Sequence, residues 1–269
     1  MKLAFASINV PYERWYNLSK KYGFKAVNIS SLGEYNNIGR DLLKNGLQIS
    51  QIGNWKYNPL APEEKYYEEV IKCIDIASTF DFKCSITFGS GSYLAQNPFA
   101  AHPGNWTKNA RKTAANNIKP LAEYAEKKDV KISLEPHIWN VTNNAKNTIE
   151  LIELVGSKNV GITLDIVNYC TVSGYFNTKS LIDKYTNLLK DYVFDIHLKD
   201  VILLPEVVIN LKECPVGFGN LDINYLLKKV DEIFDNDIWA IVEHVPDEKV
   251  DETFENVFNA AREANVVFK

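Results

Sequence analysis

Two periodicities alternate along the 269-residue chain. Short runs switch between apolar and polar at every step, as Ile132 and Leu134 do against Lys131 and Ser133, and these predict strands. Longer runs with apolar residues three and four apart lie between them and predict amphipathic helices. Strands are predicted near 2–6, 25–29, 47–51, 82–88, 130–135, 160–165, 192–198 and 238–243. Helices are predicted near 12–22, 36–45, 62–79, 107–128, 144–156, 178–190, 222–233 and 248–264. Eight strand–helix pairs with no break in composition predict an α/β fold, a (β/α)8 TIM barrel formed as a single domain over 1–269. An open doubly wound sheet is the alternative, but no G-x-G-x-x-G follows the first strand. Two connections are long, at about 89–106 and 199–220, and both follow strands, which makes them candidate lids or binding loops.

The same alternation singles out four strand ends. Glu135 and His137 fall on the face of Ser133, opposite the aliphatic one. Asp165 shares a phase with Gly161 and Thr163, His197 with Val193 and Asp195, and Glu243 with Trp239 and Ile241. In a barrel the C-terminal strand ends converge on one pocket. Three carboxylates brought together repel one another unless protons or a cation hold them, and a divalent metal is the economical answer. Glu135, Asp165, His197 and Glu243 are therefore candidate metal ligands. Three oxygen donors and one imidazole suit a fairly hard ion, manganese first, with magnesium, cobalt and zinc as alternatives. Asp195, one step deeper on the face of His197, either orients that imidazole or pairs with Lys131.

Composition narrows the partners. The chain is 46% hydrophobic and 24% charged, with a net charge of −4, and it has no basic run, so no nucleic acid is expected. No apolar run reaches the roughly 18–20 residues of a membrane span. "MKLAFASINV" serves better as a first strand than as a signal peptide, since Pro11, Glu13 and Arg14 follow at once. A cytoplasmic protein is expected. Cys73, Cys84, Cys170 and Cys214 are scattered, without a C-x-x-C pair, and read as reduced, core-forming thiols.

The segments "SLEPH", "ITLDI", "DIHLKD", "PVGFGNLD" and "AIVEHV", in that order and across essentially the whole chain, resemble the xylose-isomerase-like TIM-barrel superfamily. That superfamily holds sugar isomerases and epimerases, inosose dehydratases and endonuclease-IV-type enzymes, and the epimerase/isomerase branch is the nearest. The resemblance implies that Glu135, Asp165, His197 and Glu243 are the ligands, and that Gly217, Gly219 and Asp222 match the family's glycine-rich loop. One departure stands out: many members carry a histidine three residues after the strand-six aspartate, where this chain has Asn168. The three-zinc nucleases also need histidines on earlier strands, whereas the four histidines here are His102, His137, His197 and His244. One metal is implied, not three.

The activity implied is epimerisation or isomerisation of a keto sugar or sugar derivative. A divalent ion stabilises the enediolate left when a carbon-bound proton departs. In the family's epimerases the two glutamates, here Glu135 and Glu243, remove and return that proton. His137 opens a second reading, a dehydratase or lyase in which it acts as acid/base while water or an aglycone leaves; its bland role is a structural cap beyond the strand. Further substrate contacts are expected from Trp106, Trp139 and His102, with Trp55 on the same side, and from Asn168 in place of the missing histidine. Loop packing or a subunit interface explains the tryptophans equally well. Lys199 can meet an anionic or hydroxyl group, a solvated lysine being the simpler expectation. His244 is out of phase with Glu243 and expected to be structural. The glycine loop reads as a turn and helix cap rather than a phosphate site. Homo-oligomerisation is expected from the resemblance alone, and a second subunit that completes the pocket is the alternative.

Overall fold

The computed structural model describes residues 1–6, 10–94, 97–234 and 237–269; residues 95 and 96 of the expected first long loop lie outside them. Among the described residues ten strands are formed: β1 (Lys2–Ala6), β2 (Ala26–Ile29), β3 (Gln48–Gly53), β4 (Ser85–Gly89), β5 (Lys131–Glu135), β6 (Val160–Leu164), β7 (Val193–Leu198), β8 (Asp200–Leu203), β9 (Leu211–Cys214) and β10 (Trp239–Glu243). Eight of them close into a barrel in the order β1-β10-β7-β6-β5-β4-β3-β2. The pairings of β1 with β10 and β2, of β3 with β4, and of β5 with β4 and β6 are parallel, as βαβ connections require. The fold is the (β/α)8 TIM barrel.

Two compact units make up the chain. In the unit of Asn28–Leu164 and Asp191–Asp195, the aliphatic phase (Ile86, Phe88, Ile132, Leu134, Ile162, Leu164) is fully buried. The opposite phase forms a hydrogen-bonded polar layer. Asn28 donates to Gln51 (2.7 Å), and Gln51 donates to Thr163 (2.8 Å) and Asp195 (3.1 Å). Ser133 bonds Thr163 (2.8 Å), and Ser85 donates to Asp195 (2.7 Å). Asp195 takes bonds from Gln51 and Ser85, while Lys131 Nζ donates to Asn159 (3.0 Å). Neutral amide and hydroxyl donors already satisfy one oxygen of this buried carboxylate.

The unit of Met1–Val27, Asp165–Lys190 and Ile196–Lys269 has an apolar counterpart, in which Ala4, Ala26, Trp239 and Ile241 pack together with no exposure. β1 and β10 pair in register from Lys2 with Trp239 to Ala6 with Glu243, which fixes Glu243 as the last rung of its strand.

The second long connection departs from the expected loop. Its residues form an antiparallel hairpin, β8 with β9, from Asp200–Cys214 to Leu203–Leu211. Its turn presents Val207, Val208 and Ile209 to solvent. The helix expected near 36–45 starts earlier, at Leu32, because Ser31 and Glu34 cap its first turn, and a π-turn runs through Tyr35–Gly39. All four cysteines are free, three of them buried. Among the described residues no helix is long and apolar enough to cross a membrane.

Candidate metal centre

Each ligand candidate is set by its strand end. Glu135 closes β5, and His197 lies one residue before the end of β7. Asp165 follows β6 directly, and its Oδ1 accepts the backbone N–H groups of Val167 (2.8 Å) and Asn168 (3.1 Å), which aims the carboxylate as the chain turns. One ligand atom from each of Glu135, Asp165, His197 and Glu243 lies within 4.8 Å of the other three, and all four residues are buried. His197 Nδ1 is 3.1 Å from Glu243 Oε2 and 3.9 Å from Asp165 Oδ2. Such a cluster of buried oxygen donors with an imidazole can hold a divalent ion.

Lys199 belongs to the same cluster. It is 2% exposed, which removes the solvated alternative. Its Nζ is 2.8 Å from Asp165 Oδ2, 2.9 Å from Glu243 Oε1 and 3.0 Å from Glu213 Oε2. The parity signal was available, since Lys199 shares the phase of Asp195 and His197. Glu213, on β9, gave no such signal: it is a charge in a long connection until the hairpin forms. His244 closes the group, with Nδ1 2.8 Å from Glu213 Oε1 and Nε2 3.7 Å from Glu243 Oε2. It reaches back despite being out of phase because its φ is +54°, a left-handed backbone that non-glycine residues adopt at a cost.

The charges set the ionisation. Burial is the largest influence on the Glu243 carboxyl and acts to raise it; the His197 and Lys199 charges, with His244 beside them, outweigh it and hold Glu243 well below the usual carboxylate range. Burial likewise acts to raise Glu213, but its bond to His244 and the nearby Lys199 charge bring it down to about 2. The Glu243 charge, against burial, raises His244 to about 9. Even with this lysine among them, three ligand carboxylates leave the cluster suited to a further cation.

The family described as Xylose isomerase-like TIM barrel matches residues 16–263. The chain belongs to this family. Among curated proteins none matches the sequence significantly. Solved structures do. The probable 3-DHS dehydratase AsbF of Bacillus anthracis, involved in petrobactin synthesis, is 17% identical, with a TM-score of 0.73 over 96% of this chain and 98% of its own. The IolI protein, with a bound zinc atom, is 17% identical, with a TM-score of 0.73 over 98% of both chains. A D-tagatose 3-epimerase-like protein is 17% identical, with a TM-score of 0.71 over 98% of both chains. At these identities the likeness is one of fold.

The glycine-rich loop spends its amides internally. Gly217 and Gly219 donate to Asp200 Oδ2 (3.2 and 3.0 Å), Val201 and Leu221 donate to Oδ1 (both 2.8 Å), and Asp222 caps the following helix at Tyr225. A turn built on a buried aspartate is the observed arrangement. Asn168 is buried beside Asp165, to which its backbone donates.

The remaining candidates divide. His137 lies with Nε2 3.9 Å from Glu135 Oε1 and is 9% exposed. Its ring meets Trp139 at 5.3 Å and Phe99 edge-on at 5.2 Å, and Phe99 meets Trp55 at 5.9 Å. Phe99 is the member that sequence reasoning missed. Two glycines at strand ends make room for this chain of rings: a Cβ on Gly89 would lie 2.9 Å from Phe99, and one on Gly53 would lie 2.8 Å from Trp55. The glycines that end β3 and β4 are the sequence signal that could have found it. His102 is an exposed cap whose Nδ1 accepts from Gly104, with its ring edge-on to Tyr93. Trp106 is 52% exposed and is tied to Arg111 only through its backbone carbonyl.

Proposed function

We propose that the protein is a divalent-metal-dependent epimerase or isomerase of a keto sugar or sugar derivative, with manganese the ion to test first. The observation that carries this reading is the convergence of Glu135, Asp165, His197 and Glu243 within 4.8 Å. When bound there, the ion supplies Lewis-acid stabilisation of the charge that develops on a carbonyl oxygen. Glu243, held as an anion by its cationic neighbours, takes a proton from the carbon beside the carbonyl. Glu135, holding a proton, delivers it from the other side and becomes a carboxylate as it does so. Return to the same carbon from the other face gives the epimer; return to the neighbouring carbon gives the isomer. The rings around His137 offer apolar faces for sugar C–H groups and exclude water from the proton transfer.

The test is incubation of Mn²⁺-loaded protein with a panel of ketohexoses and keto-sugar derivatives in D₂O, followed by NMR. The expected result is deuterium at the carbon next to the carbonyl, with every substituent retained. A product lacking water or an aglycone, together with inactivity of His137→Ala, replaces this reading with elimination, for which His137 beside Glu135 supplies the acid. No exchange with any member of the panel removes the sugar assignment.

A further inference from the structure

Lys199 stands where an enzyme built only to bind a divalent ion would have no reason to place a cation. Its ammonium touches two of the four ligand candidates, Asp165 Oδ2 and Glu243 Oε1, from a position sealed from solvent. At Asp165 the choice of oxygen is forced. Oδ1 is taken by the backbone of Val167 and Asn168, so the oxygen turned toward His197 is also the one that Lys199 holds. A lysine and a metal ion therefore draw on the same lone pairs.

We infer that Lys199 is the resident counter-cation of this centre, assembling its carboxylates before metal arrives and competing with the metal afterwards, and that Glu213 tunes this competition from the hairpin. The inference rests on the metal-centre part of the proposed function. Glu213 is not a ligand candidate, yet its Oε2 is 3.0 Å from Lys199 Nζ, nearly as close as the two ligand carboxylates. It gives the ammonium a third partner that the metal does not need. Its other oxygen holds His244, which draws that ring toward the hairpin and away from sole reliance on Glu243. Buried carboxylates without a compensating cation are strongly destabilising, so the lysine keeps the empty centre folded. The like charge of the lysine and an incoming ion then lowers the ion's affinity.

The signs of two substitutions follow, and they are opposite. Lys199→Met removes the competing charge and keeps most of the side-chain length; Mn²⁺ binding to metal-stripped protein should tighten by roughly tenfold or more, the scale of outer-partner effects at metal sites, while the Tm of the metal-free form falls. Glu213→Gln removes the partner of Lys199 that is not a ligand candidate, so the ammonium draws harder on Asp165 and Glu243 and Mn²⁺ binding should weaken. In the Lys199→Met background, Glu213→Gln should have little further effect. A lysine that merely props the ligands in place predicts the reverse for Lys199→Met, a weaker Kd, and nothing for Glu213→Gln.

The experiment is calorimetric titration of the full chain with Mn²⁺ alone, wild type and the three variants side by side. Opposite shifts that collapse in the double variant support the inference. Unchanged affinities, or weaker binding in Lys199→Met, overturn it while leaving the metal centre standing. No Mn²⁺ binding to the wild type overturns both. Glu213 is half-exposed on a hairpin, so Glu213→Gln alone decides the matter if Lys199→Met does not fold without metal.

Discussion

Two clusters of side chains in this protein are built on opposite plans. In the ionic one (Asp165, His197, Lys199, Glu243), the strand ends themselves carry the functional groups, and the hairpin adds Glu213 beside them. In the aromatic one, the ends of β3 and β4 are glycines, and rings from the following loops, Trp55 and Phe99, fill the space that a side chain would have taken. The lesson is one of rigidity. Groups that must share a cation are anchored by backbone pairing, whereas groups that present an apolar face come from loops, where shape can vary without disturbing the barrel.

The largest effect that separates the two plans is expected at a strand end. Glu243→Gln should abolish stoichiometric metal, a loss beyond the roughly 100-fold that removal of an outer partner costs. Elemental analysis of the purified variant reads this directly, and metal retained at one ion per chain would mean that the ionic cluster is held together by something other than its carboxylates. An intermediate effect is expected in the aromatic cluster. Phe99→Ala should cost about 2 kcal/mol of unfolding free energy, short of the roughly 3–5 of a fully buried ring, with metal affinity unchanged. Gly89→Ala should displace the same ring, because its new Cβ meets Phe99 at 2.9 Å. Urea titration with and without Mn²⁺ tests both; a loss of metal binding in either would show that the clusters are not energetically separate.

The smallest effect concerns pH, in the metal-free protein. His244 is raised from an ordinary 6.5 to about 9, so its contribution is complete below 6.5 and is lost as pH climbs through 9. Glu213 is lowered from 4.5 to about 2, so its contribution is complete above 4.5 and is lost as pH falls through 2. Their contact should therefore stabilise most between pH 4.5 and 6.5. Both side chains are partly exposed, and the gain is correspondingly modest. Thermal melts carried from pH 6.5 up through 9 should fall less steeply in His244→Gln; an identical profile would remove His244 from the account.

The barrel and the four ligand candidates were legible because the signals they rest on are local: a two-residue period tells which residues share a face, and a strand's last inward position follows from counting. The same counting placed Lys199 in phase, yet composition made a solvated lysine the simpler expectation, and only the surrounding carboxylates show why it is buried. Glu213 and His244 were beyond reach for a different reason. One depends on a hairpin register that pairs Asp200 with Cys214, the other on a left-handed backbone that breaks the alternation at the residue after Glu243. Phe99 lies in a loop without a period, and its role follows from glycines elsewhere in the chain.

The polar layer of the Asn28–Leu164 unit has a consequence for how the chain is made. Gln51 bonds Thr163 across 112 positions and Asp195 across 144, and Ser85 reaches Asp195 across 110. Such contacts form only after a large loop has closed, which slows folding. On the ribosome, the amide of Gln51 must wait for more than half of the chain to emerge before its last partner exists. A nascent chain stalled before Asp195 would hold its completed early strands with an unclosed interior, the kind of intermediate that exposes apolar surface and strand edges to aggregation.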